Sequence, residues 1–311
     1  MKKLLTILLA TFALMTAFAQ DETVCVLEIY DTCLGTRTVV KEFPYTIEAP
    51  NWTVDGKWLV YNSKGSLYRI SPDGKKGPEK IDTGAISGCN NDHCLSFDGK
   101  SIGISSSTPD YRQSRIFVCP VEGGEPTLIT PVGPSYLHGW SPDGKTLVYC
   151  ADRGGEFDVY SVPSAGGKEV RLTTAPGLDD GPEYTPDGEY IWFNSVRSGL
   201  MQLWRMRPDG SEQEQMTFDE DRNAWFGHVS PDGKSVVYIT YWKGDLEPGQ
   251  HLGGKNVQLR IMPAAGGAPR TLVSLYGGQG TINVNSWAPD SKRFAFVSYR
   301  IRGVELESLR G

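Results

Sequence analysis

A Pro-Asp-Gly turn followed by alternating apolar residues recurs along the whole chain, and a fixed repeat constrains the fold more than any local feature. The copies read TVDGKWLVY (53–61), SFDGKSIGI (96–104), SPDGKTLVY (141–149), TPDGEYIWF (185–193), SPDGKSVVY (230–238) and APDSKRFAF (288–296). Their turn aspartates are Asp55, Asp98, Asp143, Asp187, Asp232 and Asp290, spaced by 43, 45, 44, 45 and 58 residues. Residues 136–173 show what one unit builds: YLHGWS, KTLVYCA, FDVYSVP and EVRLTT are four short β-patterns separated by PDG, DRGGE and SAGGK. Proline presets φ at the first central turn position, aspartate caps the turn, and glycine accepts positive φ. One four-stranded unit cannot bury both of its faces, so units of this size stack radially into a propeller. The residue three before each turn aspartate (Trp52, Leu95, Trp140, Tyr184, Val229 and Trp287) is expected to pack between blades.

The two ends of the chain set the blade count. After residues 288–300 the sixth unit lacks its two outer strands, while TVCVLEIYD (23–31) and TRTVVKEF (36–43) form a strand pair with no inner partners. The expected fold is all-β: a six-bladed β-propeller of four-stranded antiparallel blades, its ring closed by N- and C-terminal strands sharing one blade. Val24–Tyr30 should then lie beside Arg293–Tyr299. Closure leaves no open edge between blades.

The first residues follow a different logic. Lys2 and Lys3 precede an apolar run from Leu4 to Phe18, and Ala17–Ala19 supplies small residues for cleavage before Gln20. This reads as a secretory signal peptide over 1–19, leaving a single propeller domain over 20–311 that is periplasmic or secreted. The run is too short for a membrane span. Cleavage removes two lysines and takes the net charge from −6 to −8. An acidic chain without basic clusters excludes nucleic acid as a partner, and the expected state is a monomer. Export permits disulfides among Cys25, Cys33, Cys89, Cys94, Cys119 and Cys150, with fifteen connectivities open. Cys119 and Cys150 sit in strand patterns and read first as small buried hydrophobes.

Strand direction places the polar residues. The inner strand of each blade runs toward its Pro-Asp-Gly turn, so residues four to ten before the aspartate approach the opposite mouth of the channel. His93, His138 and His228 fall there, and His251 lies in the long insertion WKGDLEPGQHLGGKN (242–256). That insertion joins the second and third strands of blade five and should cover the same mouth. Asp92, Asp179, Asp180, Glu183, Asn90, Asn91, Tyr136, Trp225, Gln279, Asn283 and Asn285 join the set. The candidate ligand site is His93, His138, Asp180, Glu183, Trp225, His228, His251, Gln279, Asn283 and Asn285. Its expected centre is Glu183, His228 and Gln279, with Trp225 offering a stacking face. Polar residues that merely solvate a water-filled channel are the competing account. No local HxxxH or CxxC spacing occurs, so a divalent metal would need ligands assembled across blades. No other cofactor is indicated.

The stretch SPDGKTLVYCADRGGEFDVYSVPSAGGKEVRLTT (141–174) resembles the WD-repeat-like propeller units of the TolB family, over nearly all of residues 20–311. The resemblance implies the propeller and leaves the envelope-complex work of TolB open. TolB carries a separate N-terminal α/β domain, and no room for one is expected before Thr23. Oligogalacturonate lyases have similar repeats, and that resemblance implies a metal held by three histidines and a glutamine. His228 and Gln279 occupy suggestive places, but QGTINVN (279–285) has asparagines where histidines would be needed. A prolyl-oligopeptidase-like role would require a GxSxG elbow, which the sequence lacks. Two functional classes remain. One is a recognition module for a glycan, a peptide or an envelope protein at the channel mouth; the other is a carbohydrate-active enzyme using the same mouth.

Overall fold

Each turn of the repeat is a small closed hydrogen-bond system. In blade three the Ser141 hydroxyl donates to Asp143 Oδ1 at 2.6 Å, the Lys145 amide donates to the same oxygen at 3.1 Å, and the Thr146 amide donates to Ser141 Oγ at 2.9 Å. The same pattern holds at Thr53–Asp55, Ser96–Asp98, Thr185–Asp187 and Ser230–Asp232. These donors stabilise the ionised carboxylate; the Thr53 hydroxyl and the Lys57 amide hold Asp55 down at about 2. In the sixth copy Ala288 lacks the hydroxyl, and Ser291 adopts the positive φ of 58° that glycine takes elsewhere. There Arg293 Nε donates to Asp290 Oδ2 at 2.9 Å and replaces part of the system.

The computed structural model describes residues 23–302; the leader reading at 1–19 lies outside them. Among the described residues there are six antiparallel sheets. Blades one to five each have four strands in chain order, with inner strands Glu48–Trp52, Gly88–Leu95, Ser135–Trp140, Asp179–Tyr184 and Arg222–Val229. The sixth sheet orders Thr36–Phe43, Thr23–Asp31 and Arg293–Ile301, so the two ends of the described chain share one blade. Val24 pairs with Arg300 and Tyr30 with Phe294, so the two segments lie side by side as expected. The inner edge of this blade is the segment 282–287, reduced to a Trp287–Phe294 bridge and an Ala295 amide bond to the Ser286 carbonyl at 3.0 Å.

The core is partitioned by blade interface. Six apolar clusters fill the blade interfaces, five joining one adjacent pair and the sixth, between blades five and six, also taking in Met201 of blade four; Cys25, Leu27, Ile29 and Phe43 of the closing hairpin pack with Trp52, Leu59 and Tyr61 of blade one. Trp140 packs between blades as its position predicts, and its Nε1 donates to the Cys94 carbonyl of blade two at 3.1 Å. Trp287 does the same to the His228 carbonyl at 3.0 Å. All six cysteines are free thiols; Cys119 and Cys150 are buried and Cys33 is exposed.

Inner strands are not regular. Their pairing slips between Glu48 and Asn51, Cys89 and His93, Leu137 and Gly139, Asp180 and Glu183, and Trp225 and His228. Such bulges re-aim side chains. Ala49 and Phe226 carry φ values of 54° and 55° there, a region that non-glycine residues seldom adopt. Five bulges at one depth therefore turn polar and aromatic side chains into the channel.

Candidate functional site

Among the described residues the channel widens into a chamber at each end. One, about 350 Å³, opens on the turn face and is walled by Trp52, Leu95, Trp140, Tyr184, Val229 and Trp287, with Val54, Phe97 and prolines of the turns at its rim. The residues expected to pack between blades thus also line this apolar mouth. The other, about 390 Å³, lies at the opposite end and is lined by Asn90, Asn91, Asp92, Tyr136, His138, Asp180, Gly249, His251 and Gln279, among others. Gly249 and His251 belong to the blade-five insertion, so that insertion covers the mouth away from the turns, as strand direction predicts. His138 borders both chambers and stands between them.

The insertion-side chamber is built on a charge cluster from three blades. His138 Nε2 of blade three lies 3.3 Å from Asp180 Oδ1 of blade four and 4.0 Å from Asp92 Oδ1 of blade two. Burial opposes ionisation of Asp180, but the hydrogen bond and charge of His138, helped by His251 and the Gly181 amide, outweigh it and hold the carboxyl at about 2. Burial also opposes the His138 cation, and the carboxylates of Asp180, Asp92 and Glu183 outweigh it, so its pKa is raised. Asp92 behaves differently. Burial, reinforced by Asp180 and Glu48 and only partly offset by His138, pushes it up to about 7. Two carboxyls facing one imidazole are thus driven apart in acidity by their surroundings.

His251 closes the chamber. Its ring packs on Trp225 at 4.3 Å and on Phe226 edge-on at 5.2 Å, and Phe226 in turn stacks on His138 at 5.8 Å. Burial lowers the His251 pKa, and its buried Nδ1 has no hydrogen-bond partner. Trp225 is fully buried beneath it, so its face is occupied by the histidine rather than open to a ligand.

Glu183 and His228, each four residues before its turn aspartate, meet in another part of the channel. His228 Nδ1 lies 2.7 Å from Glu183 Oε2, and His228 Nε2 donates to the Ile282 carbonyl at 2.8 Å. Glu183 Oε1 accepts from Asn285 Nδ2 at 2.6 Å and from the Val229 amide at 3.2 Å. Asn51 Nδ2 donates to the Asn285 carbonyl at 2.5 Å, and Asn51 Oδ1 accepts the Leu95 amide at 3.0 Å. The network ties blades four, five, six, one and two, and both nitrogens of His228 are engaged within it.

The structure does not bring Gln279 to this pair. Gln279 lines the insertion-side chamber, and its carbonyl accepts the Tyr299 hydroxyl at 2.6 Å. His93 is wholly buried against the backbones of Asn90, Ala49 and Val60, and burial pushes its pKa down to about 4. Asn283 Oδ1 accepts the Gly280 amide at 2.6 Å and shapes the loop before the inner edge of blade six. Among the described residues no group of three or more His, Cys, Asp or Glu converges so as to hold a metal. The sequence reading passed over Phe226, which spaces His138 from Trp225; nothing local announces a phenylalanine at positive φ.

The contrast between the two carboxyls gives a stability test. Asp180 is more acidic in the fold than its unfolded value near 3.9, so its stabilisation is present above that pH and is lost as pH falls toward 2. Asp92 is less acidic in the fold, so its contribution is full below about 4 and is lost as pH rises through about 7. Asp180→Asn, which strips the buried His138 cation of its partner, is expected to cost about 3 kcal/mol at pH 7. Asp92→Asn should be neutral at pH 4 and increasingly stabilising toward pH 8. Thermal melts from pH 4 to 8 read both signs; destabilisation by Asp92→Asn at pH 8 would contradict this assignment of charge.

Comparison with known proteins agrees with this architecture. The model of the TolB beta propeller domain matches residues 96–260, more than half the chain. An uncharacterised protein of Agrobacterium fabrum is 46% identical over 88% of this chain and 92% of its own length. A solved structure of a candidate TolB from Agrobacterium tumefaciens has 45% identity and a TM-score of 0.85, covering 89% of this chain and 99% of that one. The Tol-Pal system protein TolB of Francisella tularensis is 29% identical over 65% of this chain, and the match spans about half of that protein, 47%. No helix among the described residues is long and apolar enough to cross a membrane. On the family match and the Agrobacterium relatives, this chain belongs to the TolB-like β-propeller family.

Proposed function

We propose that this protein is a periplasmic recognition module that takes up a peptide or glycan segment of an envelope component at the mouth beneath the blade-five insertion. The supporting observation is the chamber of about 390 Å³, whose wall combines a buried His138–Asp180 ion pair with the His251 Nδ1, which the protein itself leaves without a partner. Pockets with a few convergent polar groups on an otherwise rigid frame are the usual form of a ligand site. The family supports the reading at a coarse level, since the TolB of Francisella tularensis is described as a Tol-Pal system protein. The reading extends to an exported single propeller over 20–311, released from a leader at 1–19.

Calorimetry on the full chain with muropeptides from digested peptidoglycan, short peptides and acidic oligosaccharides tests it. His251→Ala and Gln279→Ala should each weaken the best ligand by about tenfold, as expected for one lost hydrogen bond of about 1–1.5 kcal/mol. Unchanged affinity in both folded variants would move the site elsewhere.

A further inference from the structure

We propose that the insertion-side chamber accepts a protonated primary amine, seated on the carboxylate of Asp92 with Gln279 and the free Nδ1 of His251 as further acceptors. The inference rests on the reading of this chamber as the ligand site and adds the chemical class of what enters it. Its starting point is Asp92, 8% exposed, whose carboxylate accepts no hydrogen bond among the described residues and whose nearest cation is 4.0 Å away. That cation, His138, is closer to Asp180, which also accepts the Gly181 amide at 2.7 Å. One imidazolium therefore serves Asp180, and Asp92 is the surplus carboxyl.

The titratable groups facing Asp92 are Glu48 of blade one, Cys94 of its own strand, His138, Tyr136 and Cys150 of blade three, Asp180 of blade four, and His251 of the insertion. Of the two imidazoles among them, His138 has its pKa raised by the neighbouring carboxylates and His251 has its lowered by burial, and no lysine or arginine lines the chamber. A buried carboxyl without a counterion keeps its proton, which is the state that burial imposes on Asp92 at about pH 7 and below. An ammonium group brings one charge and three donors without demanding a fixed coordination geometry. Leu178 and Phe157 offer apolar wall for the alkyl stem that carries it.

The Asp92 carboxylic acid gives up its proton to solvent as the ammonium arrives, and the product is a carboxylate–ammonium pair. Below pH 7 the affinity should therefore rise about tenfold per pH unit, and above it should level off.

The test is calorimetry on the full chain with three peptides: acetyl-Ala-Lys-Ala-amide, Ala-Ala-Ala-amide with a free amino terminus, and acetyl-Ala-(acetyl-Lys)-Ala-amide. At least one ammonium peptide should bind ten times more tightly than the fully acetylated one, and which of the two binds identifies a side-chain or a terminal amine. Its affinity should rise at least tenfold from pH 5.5 to 7.5. Asp92→Asn should lose both the preference and the pH slope while melting no lower than wild type at pH 7.5. Equal binding of the acetylated peptide, no binding of either ammonium peptide at millimolar concentration, or an unchanged pH slope in Asp92→Asn would overturn the inference. A muropeptide or oligosaccharide that depends on His251 and Gln279 but not on an amine would also overturn it, while leaving the chamber as the ligand site.

Discussion

Deleting residues 23–43 is expected to abolish the folded monomer. That hairpin supplies two of the three strands in the closing sheet and buries Val26, Leu27, Ile29, Tyr30 and Phe43. At roughly 1.5–3 kcal/mol for each large apolar side chain, the loss is about 10 kcal/mol. A domain's whole stability is about 5–15 kcal/mol. The deletion also removes Glu28, which is buried, bound to Arg37 through two hydrogen bonds of 2.6 and 2.9 Å, and holding the Ser298 hydroxyl at 2.5 Å. The strand Arg293–Ile301 would be left with a bare edge, which invites pairing with other chains. Circular dichroism and size-exclusion chromatography read the outcome as unfolded or aggregated protein. A monomeric truncation with the wild-type β signal would show that the shared blade does not close the ring.

Glu183→Ala is expected to have the next largest effect, and the effect should fall on stability rather than binding. The substitution strands three donors or partners at once: the Val229 amide, the Asn285 side-chain amide and His228 Nδ1. A buried polar group left without a partner costs about 1–3 kcal/mol, so the sum is on the order of 4 kcal/mol. In a domain of this size that lowers the melting temperature by about 8 °C. Glu183→Gln keeps one acceptor oxygen and can present its amide N–H to His228 Nδ1, so it should lose about a quarter as much. Neither change should alter ligand affinity at the insertion-side chamber. If Glu183→Gln abolished binding with stability intact, the pair would belong to a ligand site and not to the lock between blades.

Turn chemistry made the fold readable. A hydroxyl, an aspartate and a glycine around the turn specify one closed hydrogen-bond system, and five copies 43–45 residues apart with a sixth, altered copy 58 residues further on specify the ring. The unequal ends were equally legible, because an unpartnered strand pair at 23–43 has only one place to go. The direction of the inner strands also followed, which located the insertion over the right mouth. The channel interior was harder to read. Each inner strand slips register where its side chains meet the channel, and backbone states such as φ of 55° at Phe226 leave no mark on the sequence. Their equal spacing from the turn aspartates brought Glu183 to His228, but Gln279, expected to join them from the next inter-blade loop, faces the other chamber. Asp92 stood in the sequence as one acid among several; only its burial and its distance from His138 set it apart. Trp225 read as an open stacking face because nothing in the sequence shows that His251 lies on it.

The central claim is that the mouth under the insertion, and not the mouth ringed by the turns, receives the ligand. Hydrogen exchange on the full chain, with and without saturating muropeptides, tests it most directly. The account predicts slowed exchange confined to the inner strands Gly88–Leu95, Ser135–Trp140 and Asp179–Tyr184, the loop around Gln279 and the insertion 242–256. Protection at the turns around Asp55, Asp98, Asp143, Asp187, Asp232 and Asp290, with the insertion unchanged, would contradict it.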